Sequence, residues 1–321
     1  MPGKVQPIPP SGELEESIPV QPARPAQVWI EGRRTTLFWI LSLVLAGAFH
    51  QPLWQLFLLS GKQPHYSHIV LIPLVSAYFL WTLRHSIFGP QGGAGRWAGG
   101  VLMACGALLL AVGHQLSLPS NDGLSLTIFS LLLIWSGLFG LLFGTGTLRR
   151  AAFPLLFLLF MAPIPSLLLS WVVGLLQRGS AEIAYQAIQL SGTPVFRDGV
   201  FFSMPGLDVR VAPECSGIRS SMALVITAVV AGRMMLQSGW RRLVLVLAAI
   251  PITIFKNGLR IAALCLLTIQ VDREFLVGDL HTRGGYPFFL LALAFMVPVL
   301  WMLRRSERNG SGSEARPQQS P

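Results

Sequence analysis

Apolar runs of about 20 residues recur along this chain, with only short connections between them. The stretch LTIFSLLLIWSGLFGLLF, residues 126–143, carries no charge at all. About 20 such residues in a helix cross the ~30 Å hydrocarbon core of a bilayer. Comparable runs lie near 36–58, 67–83, 97–117, 124–146, 151–176, 217–236, 243–269 and 285–303. Charged residues make up 12% of the chain, about half of what soluble domains carry. The pattern predicts an all-α polytopic membrane protein of about eight transmembrane helices. Pro52 in the first run and APIPS (162–166) in the fifth predict a kink or a split at each.

The net charge of +10 does not describe a nucleic-acid-binding face, because the basic residues fall between the apolar runs. Arg33 and Arg34 precede the first run. Arg84 and Arg96 follow the second, Arg149 and Arg150 the fourth, and Arg233, Arg241 and Arg242 the sixth. Arg304, Arg305 and Arg308 follow the eighth. Every second connection is therefore basic, and the positive-inside rule puts both ends of the chain in the cytoplasm. The Pro-rich residues 1–32 read as a disordered cytoplasmic tail, 33–305 as the transmembrane domain and 306–321 as a second flexible tail. The connection from about 177 to 214 is expected outside. Its GVFFSMPGLDVRV segment (199–211) alternates apolar and polar residues around a Pro-Gly turn, which predicts a small extracytoplasmic β-hairpin between helices five and six.

Against this frame the segment APECSGIRSS, residues 212–221, puts a thiol at the outer end of helix six. Helix seven starts near Leu243 on the inner side, so Arg260 lies roughly 25 Å along it, near the outer face. His281 sits in the last outer connection. Cys215, Arg260 and His281 thus reach one membrane face from three successive elements, and together they suit acyl transfer. A thiolate attacks a carbonyl, cations and a helix N-terminus favour the ionised thiol, and histidine moves the proton. The guanidinium stays charged and stabilises an oxyanion. Arg219, four residues after Cys215, shares its helix face and either tunes the thiol or pairs with Glu214. Arg219, Asn257 and Ser216 are supporting candidates. Cys105 and Cys265, in mid-run apolar positions, read as inert packing, and three scattered cysteines imply no disulfide framework.

Two other readings compete. His65 and His68 in HYSH, together with His114, offer a ligand set for a metal-dependent intramembrane protease. The chain has no H-E-x-x-H and no acid inside these helices to act as base, so no metal is expected and His65 and His68 become substrate-contact candidates. A non-enzymatic polysaccharide-export or transport component is the second rival, with Arg260 and Lys256 holding an anionic substrate.

PECSGIRSSMAL, IFKNGLRIAALCLL and DLHTRGGYPFFLLAL, in that order, resemble the three signature blocks of the exosortase/archaeosortase family. PHYSHIVLIPLVSAYFLW and FLLFMAPIPSLLLS upstream also resemble family segments, so the likeness spans roughly residues 60 to 300. The resemblance implies a multi-pass, transpeptidase-like thiol protease of the bacterial inner membrane, with Cys215, Arg260 and His281 as catalytic residues and no cofactor. It implies, as substrates, exported proteins whose C-terminal sorting signal is of the PEP-CTERM kind: a short motif, an apolar helix and a basic cluster. Membrane lipid is the surrounding partner. Hydrolysis and transfer to a surface acceptor are both compatible with these residues.

Overall fold

The computed structural model describes residues 32–89, 95–271 and 285–313. Among these, twelve α-helices and three short strands alternate with 3-10 turns. The helices are α1 (Gly32–Ala48), α2 (His50–Lys62), α3 (Leu71–Thr82), α4 (Arg84–Ile87), α5 (Trp97–Gln115), α6 (Ser120–Phe143), α7 (Thr145–Arg150) and α8 (Ala152–Phe157). After them come α9 (Ser166–Leu190), α10 (Ile218–Met235), α11 (Gly239–Gln270) and α12 (Gly285–Ser313).

Among the described residues five helices are long and apolar enough to cross a membrane: α5, α6, α10, α11 and the 287–309 portion of α12. Two bent pairs raise the count to seven at most. Among the described residues the expected eighth span is not seen: the run at 67–83 yields α3, whose 12 residues rise only about 18 Å. The surface is what lipid requires. Leu43 (71% exposed), Trp81 (69%) and Trp171 (62%) belong to a long series of large apolar side chains that water would not tolerate in such numbers.

Both proline signals mark breaks. α1 and α2 meet at 73°, just before Pro52; a proline ring clashes with the carbonyl four residues back, here that of Ala48, where α1 ends. Residues 152–161 and α9 meet at 86° across Ala162–Pro165.

Helix pairing relies on small residues, since lipid supplies no hydrophobic drive between helices. Gly99, Gly106 and Gly113 repeat every seven residues along α5 and face α6. A Cβ on Gly99 would sit 2.4 Å from the Leu141 nitrogen, and one on Gly137 would sit 2.5 Å from that of Met103. The two backbones are in direct contact.

The connection expected to begin at 177 begins instead after Leu190. QRGSAEIAYQAIQL is rich in strong helix formers, and Leu176, Ser180, Ala181, Ala184 and Ile188 form a buried stripe along α9. That stripe packs parallel to α11: Gly179 abuts Ile254, and Gly258 abuts Ile183 and the Ser180 carbonyl. α10 returns antiparallel, with Gly217 beside Asn257 and Gly232 beside Arg242.

The sheet has three strands where the sequence suggests two: β1 (Phe196–Asp198), β2 (Phe201–Met204) and β3 (Leu207–Arg210), antiparallel in that order. Pro205 and Gly206 turn β2 into β3, with Gly206 at the positive φ of 76° that such a turn needs. Phe202, Met204 and Val211 bury themselves against Ala181, Ala184, Ile188, Ile261, Ala262 and Cys265. The sheet therefore covers the joined C-terminal halves of α9 and α11.

α12 runs past 305, where the sequence places the start of a tail. The Glu307 carboxylate accepts the backbone N–H groups of Gln237 (3.1 Å) and Ser238 (2.7 Å) and pairs with Arg241 at 3.4 Å. Those contacts hold the helix end to the α10–α11 turn. Residues 1–31 and 314–321 of the expected tails lie outside the described residues.

Candidate active site

Cys215 lies in the 3-10 turn Pro213–Ser216, immediately before α10. Pro213 favours the turn's first position, and Cys215 N–H closes it on the Ala212 carbonyl at 2.9 Å. Gly217 then takes φ +79°, which permits the sharp entrance into the helix. A Cβ at Gly217 would meet the Asn257 side chain at 2.9 Å, so the turn is pressed onto α11.

Two adjacent residues of α11 grip this turn. Asn257, fully buried, donates its side-chain amide to the Cys215 carbonyl at 2.8 Å and to Ser180 Oγ of α9 at 3.1 Å. Lys256, 2% exposed, donates to Ser220 Oγ, and the Ser220 hydroxyl donates to the Gly217 carbonyl at 2.9 Å. One residue fixes the backbone at Cys215 and the other fixes it two residues on. Arg260, half-buried, stands about 4.5 Å further along α11 than Asn257. The thiol itself is half-buried and packs at the edge of the cluster under the sheet. Gln177 of α9 donates to the Val211 carbonyl and ties the strand exit to the same wall.

The electrostatics favour a negative charge at Cys215. The N-terminus of α10 points its partial positive charge at the turn. The turn's own sequence includes one acid, Glu214, but neither α10 nor α11 contains any, and Lys256 and Arg260 add two cations. The helix end and the two cations each lower the cost of a thiolate.

Of the supporting candidates, Asn257 and Ser216 belong to this site, Ser216 being fully buried. Arg219 points outward, exposed on the first turn of α10. His281 lies outside the described residues. His65 lies in the 3-10 turn Pro64–Tyr66, which packs on α2 and α10, and His68 follows just after it. They flank Tyr66, whose hydroxyl donates to the Ile164 carbonyl at 3.3 Å within a core shared by α2, α3, α6 and α10. Burial holds both imidazoles below the ordinary histidine value of 6.5. Among the described residues no three His, Cys, Asp or Glu side chains are grouped to hold a metal ion, so His65, His68 and His114 are not assembled as the rival reading requires. Cys265 is buried and packed; Cys105 faces outward from the middle of α5.

Ser180 and the C-terminal half of α9 are the parts of the site that the motifs do not reveal. The signal is present but diffuse: Ser180 and Ala184 on α9, Gly258 and Ala262 on α11, both at four-residue spacing, allow the close approach that brings Ser180 to Asn257.

No curated protein and no solved structure matches this chain. A family model described as transmembrane exosortase matches residues 54–298, from α2 into α12, and so takes in Cys215, Asn257 and Arg260. The match covers well over half of the 321 residues, and the chain belongs to the transmembrane exosortase family.

Proposed function

We propose that this protein is a membrane-embedded cysteine transpeptidase or protease that cleaves C-terminal sorting signals of exported proteins through a thioacyl-enzyme on Cys215. The observation that carries this reading is the grip of Lys256 and Asn257 on the Cys215–Gly217 turn, beside two helices that bring cations and no acid. Such a turn holds a nucleophile still, and its charge environment favours the thiolate.

In the reaction, the Cys215 thiolate attacks the scissile carbonyl and forms the C–S bond. The carbonyl oxygen becomes an oxyanion, which Arg260 stabilises. Collapse breaks the C–N bond, and His281 donates a proton to the leaving amine, releasing the substrate's C-terminal helix. An acceptor amine or water then attacks the thioester, gives its proton to His281, and regenerates the thiolate. The positive-inside pattern supports an extracytoplasmic site in the bacterial inner membrane. The substrates are exported proteins that end in a short motif, an apolar helix and a basic cluster.

The test is co-expression with such a substrate carrying an epitope after its basic cluster. Wild type should remove the epitope. Cys215→Ala should leave the full-length substrate in the membrane; wild-type processing by Cys215→Ala would refute the thioacyl route and favour the export-component reading.

A further inference from the structure

The opposite end of α10 carries a second feature that the proposed chemistry does not use. α10 runs for 18 residues, about 27 Å, from the Cys215 turn to Met235. Where it ends, the ends of α10, α11 and α12 enclose an open cleft of about 1320 Å³. Arg233, Arg241, Arg242, Arg304 and Arg308 line it, against a single acid, Glu307.

That acid is already engaged. Its carboxylate accepts two backbone N–H groups of the α10–α11 turn and pairs with Arg241. Arg242 is occupied by the Leu236 carbonyl, at 2.9 Å from Nε and 2.7 Å from Nη2, and it also feels the charge of Arg233. The cleft therefore holds an excess of fixed positive charge at close quarters. Orientation by the positive-inside rule needs arginines in a connection, but it does not need arginines from three helices to converge on one concavity. The walls are apolar: Val230, Met234 and Leu236 line the same space, and Met234 is 62% exposed.

We propose that this cleft binds the phosphodiester headgroup of an anionic phospholipid. Guanidinium groups pair with phosphate oxygens in bidentate fashion, and basic clefts between transmembrane helices suit such headgroups. A headgroup supplies the anion for the arginines, and its acyl chains continue along the apolar wall of α10. By the charge rule this end faces the cytoplasmic leaflet. The ligand thus anchors the foot of the helix whose other end presents Cys215.

The experiment uses the full-length protein in nanodiscs. Binding of phosphatidylglycerol, set against phosphatidylcholine, is read by native mass spectrometry. At about 1 kcal/mol per arginine near the membrane surface, Arg233→Gln should weaken phosphatidylglycerol binding about 5-fold, and the Arg233→Gln/Arg304→Gln pair about 30-fold. An Arg84→Gln/Arg149→Gln pair removes the same charge from other basic connections and should leave binding unchanged. Equal losses in the two pairs, or no loss in either, overturn the proposal. Inorganic phosphate and glycerophosphoglycerol serve as soluble competitors. If either displaces the lipid at matching concentration, the site takes a free oxyanion and the lipid assignment falls. Wild-type protein supplies a measurement independent of variant folding: a photoactivatable phosphatidylglycerol should crosslink to the 230–238 and 304–308 segments. Crosslinks spread evenly over the lipid-facing helices would contradict the site.

Discussion

The side-chain amide of Asn257 donates to the backbone carbonyl of Cys215 at 2.8 Å, joining the middle of α11 to the residue that precedes α10 by three positions. The same amide reaches Ser180 at 3.1 Å, so one buried side chain sets the relative height of three helices. A turn held this way keeps its geometry while substrate enters, and preorganisation of that kind lowers the cost of reaching a transition state.

Asn257→Leu should therefore damage both stability and chemistry. It removes two hydrogen bonds and leaves the Cys215 carbonyl without this donor, a loss of about 1–3 kcal/mol. Thermal unfolding in detergent should fall to lower temperature, and processing of a sorting-signal substrate should drop even when the folded amounts are matched. Full processing by folded Asn257→Leu would mean that the turn needs no such support.

Gly217→Ala tests the close approach. The substitution forces a Cβ into the left-handed region at a cost of about 1–2 kcal/mol, and it collides with Asn257 at 2.9 Å. Gly192→Ala is the control. It shares the positive φ, at 80°, but has open space around it, so it should lose only the backbone part of the cost. Equal destabilisation of the two variants would deny that Gly217 is pressed against α11.

Lys256→Met should separate charge from packing. A buried ion replaced by an apolar side chain of similar length is often neutral or stabilising for the fold. The Cys215 turn would nonetheless lose a nearby cation and the hydrogen-bonded link through Ser220. Alkylation of Cys215 at neutral pH should slow, while the melting temperature holds or rises. An unchanged alkylation rate would remove Lys256 from the thiol's electrostatics.

The pH dependence of stability should carry the imprint of His65 and His68. Burial depresses both below 6.5, so the folded state holds fewer protons than the unfolded one just below that value. Their contribution is complete above about pH 6.5 and is lost as pH falls through the folded values. Melts at pH 7.5 and 5.5 should differ in the wild type and differ less in His68→Gln. An identical difference in both proteins would assign the acid sensitivity elsewhere.

Much of this architecture is legible in the sequence because lipid imposes a strong filter: a span must be long, apolar and internally hydrogen-bonded. The runs that became α5, α6, α10 and α11 and the breaks near Pro52 and APIPS follow from that filter. The failures are also physical. The run at 67–83 has the composition of a span but folds as a 12-residue helix, since composition does not encode how much of a run becomes helix. Residues 177–190 read as a polar connection because charges and glutamines interrupt the apolar pattern, yet their small residues pack on α11 as helix. At the site, Arg260 is marked by a charge that is costly in a membrane, and Cys215 by a thiol set in a polar, small-residue turn at a helix mouth. Ser180 is not, because its role exists only once α9 lies against α11.

The most direct measurement is a search for the covalent intermediate. Membranes with wild-type protein are mixed with a sorting-signal substrate, quenched in acid and digested, and the peptide containing Cys215 is weighed. The thioacyl account expects a mass increment equal to the substrate's acyl fragment on Cys215, released by hydroxylamine. His281→Ala should slow its formation and its turnover by about 10²–10⁴. Cys215→Ala should form no adduct and should not process substrate. Processing at the wild-type rate by Cys215→Ala, or an acyl increment on another residue, would contradict the account.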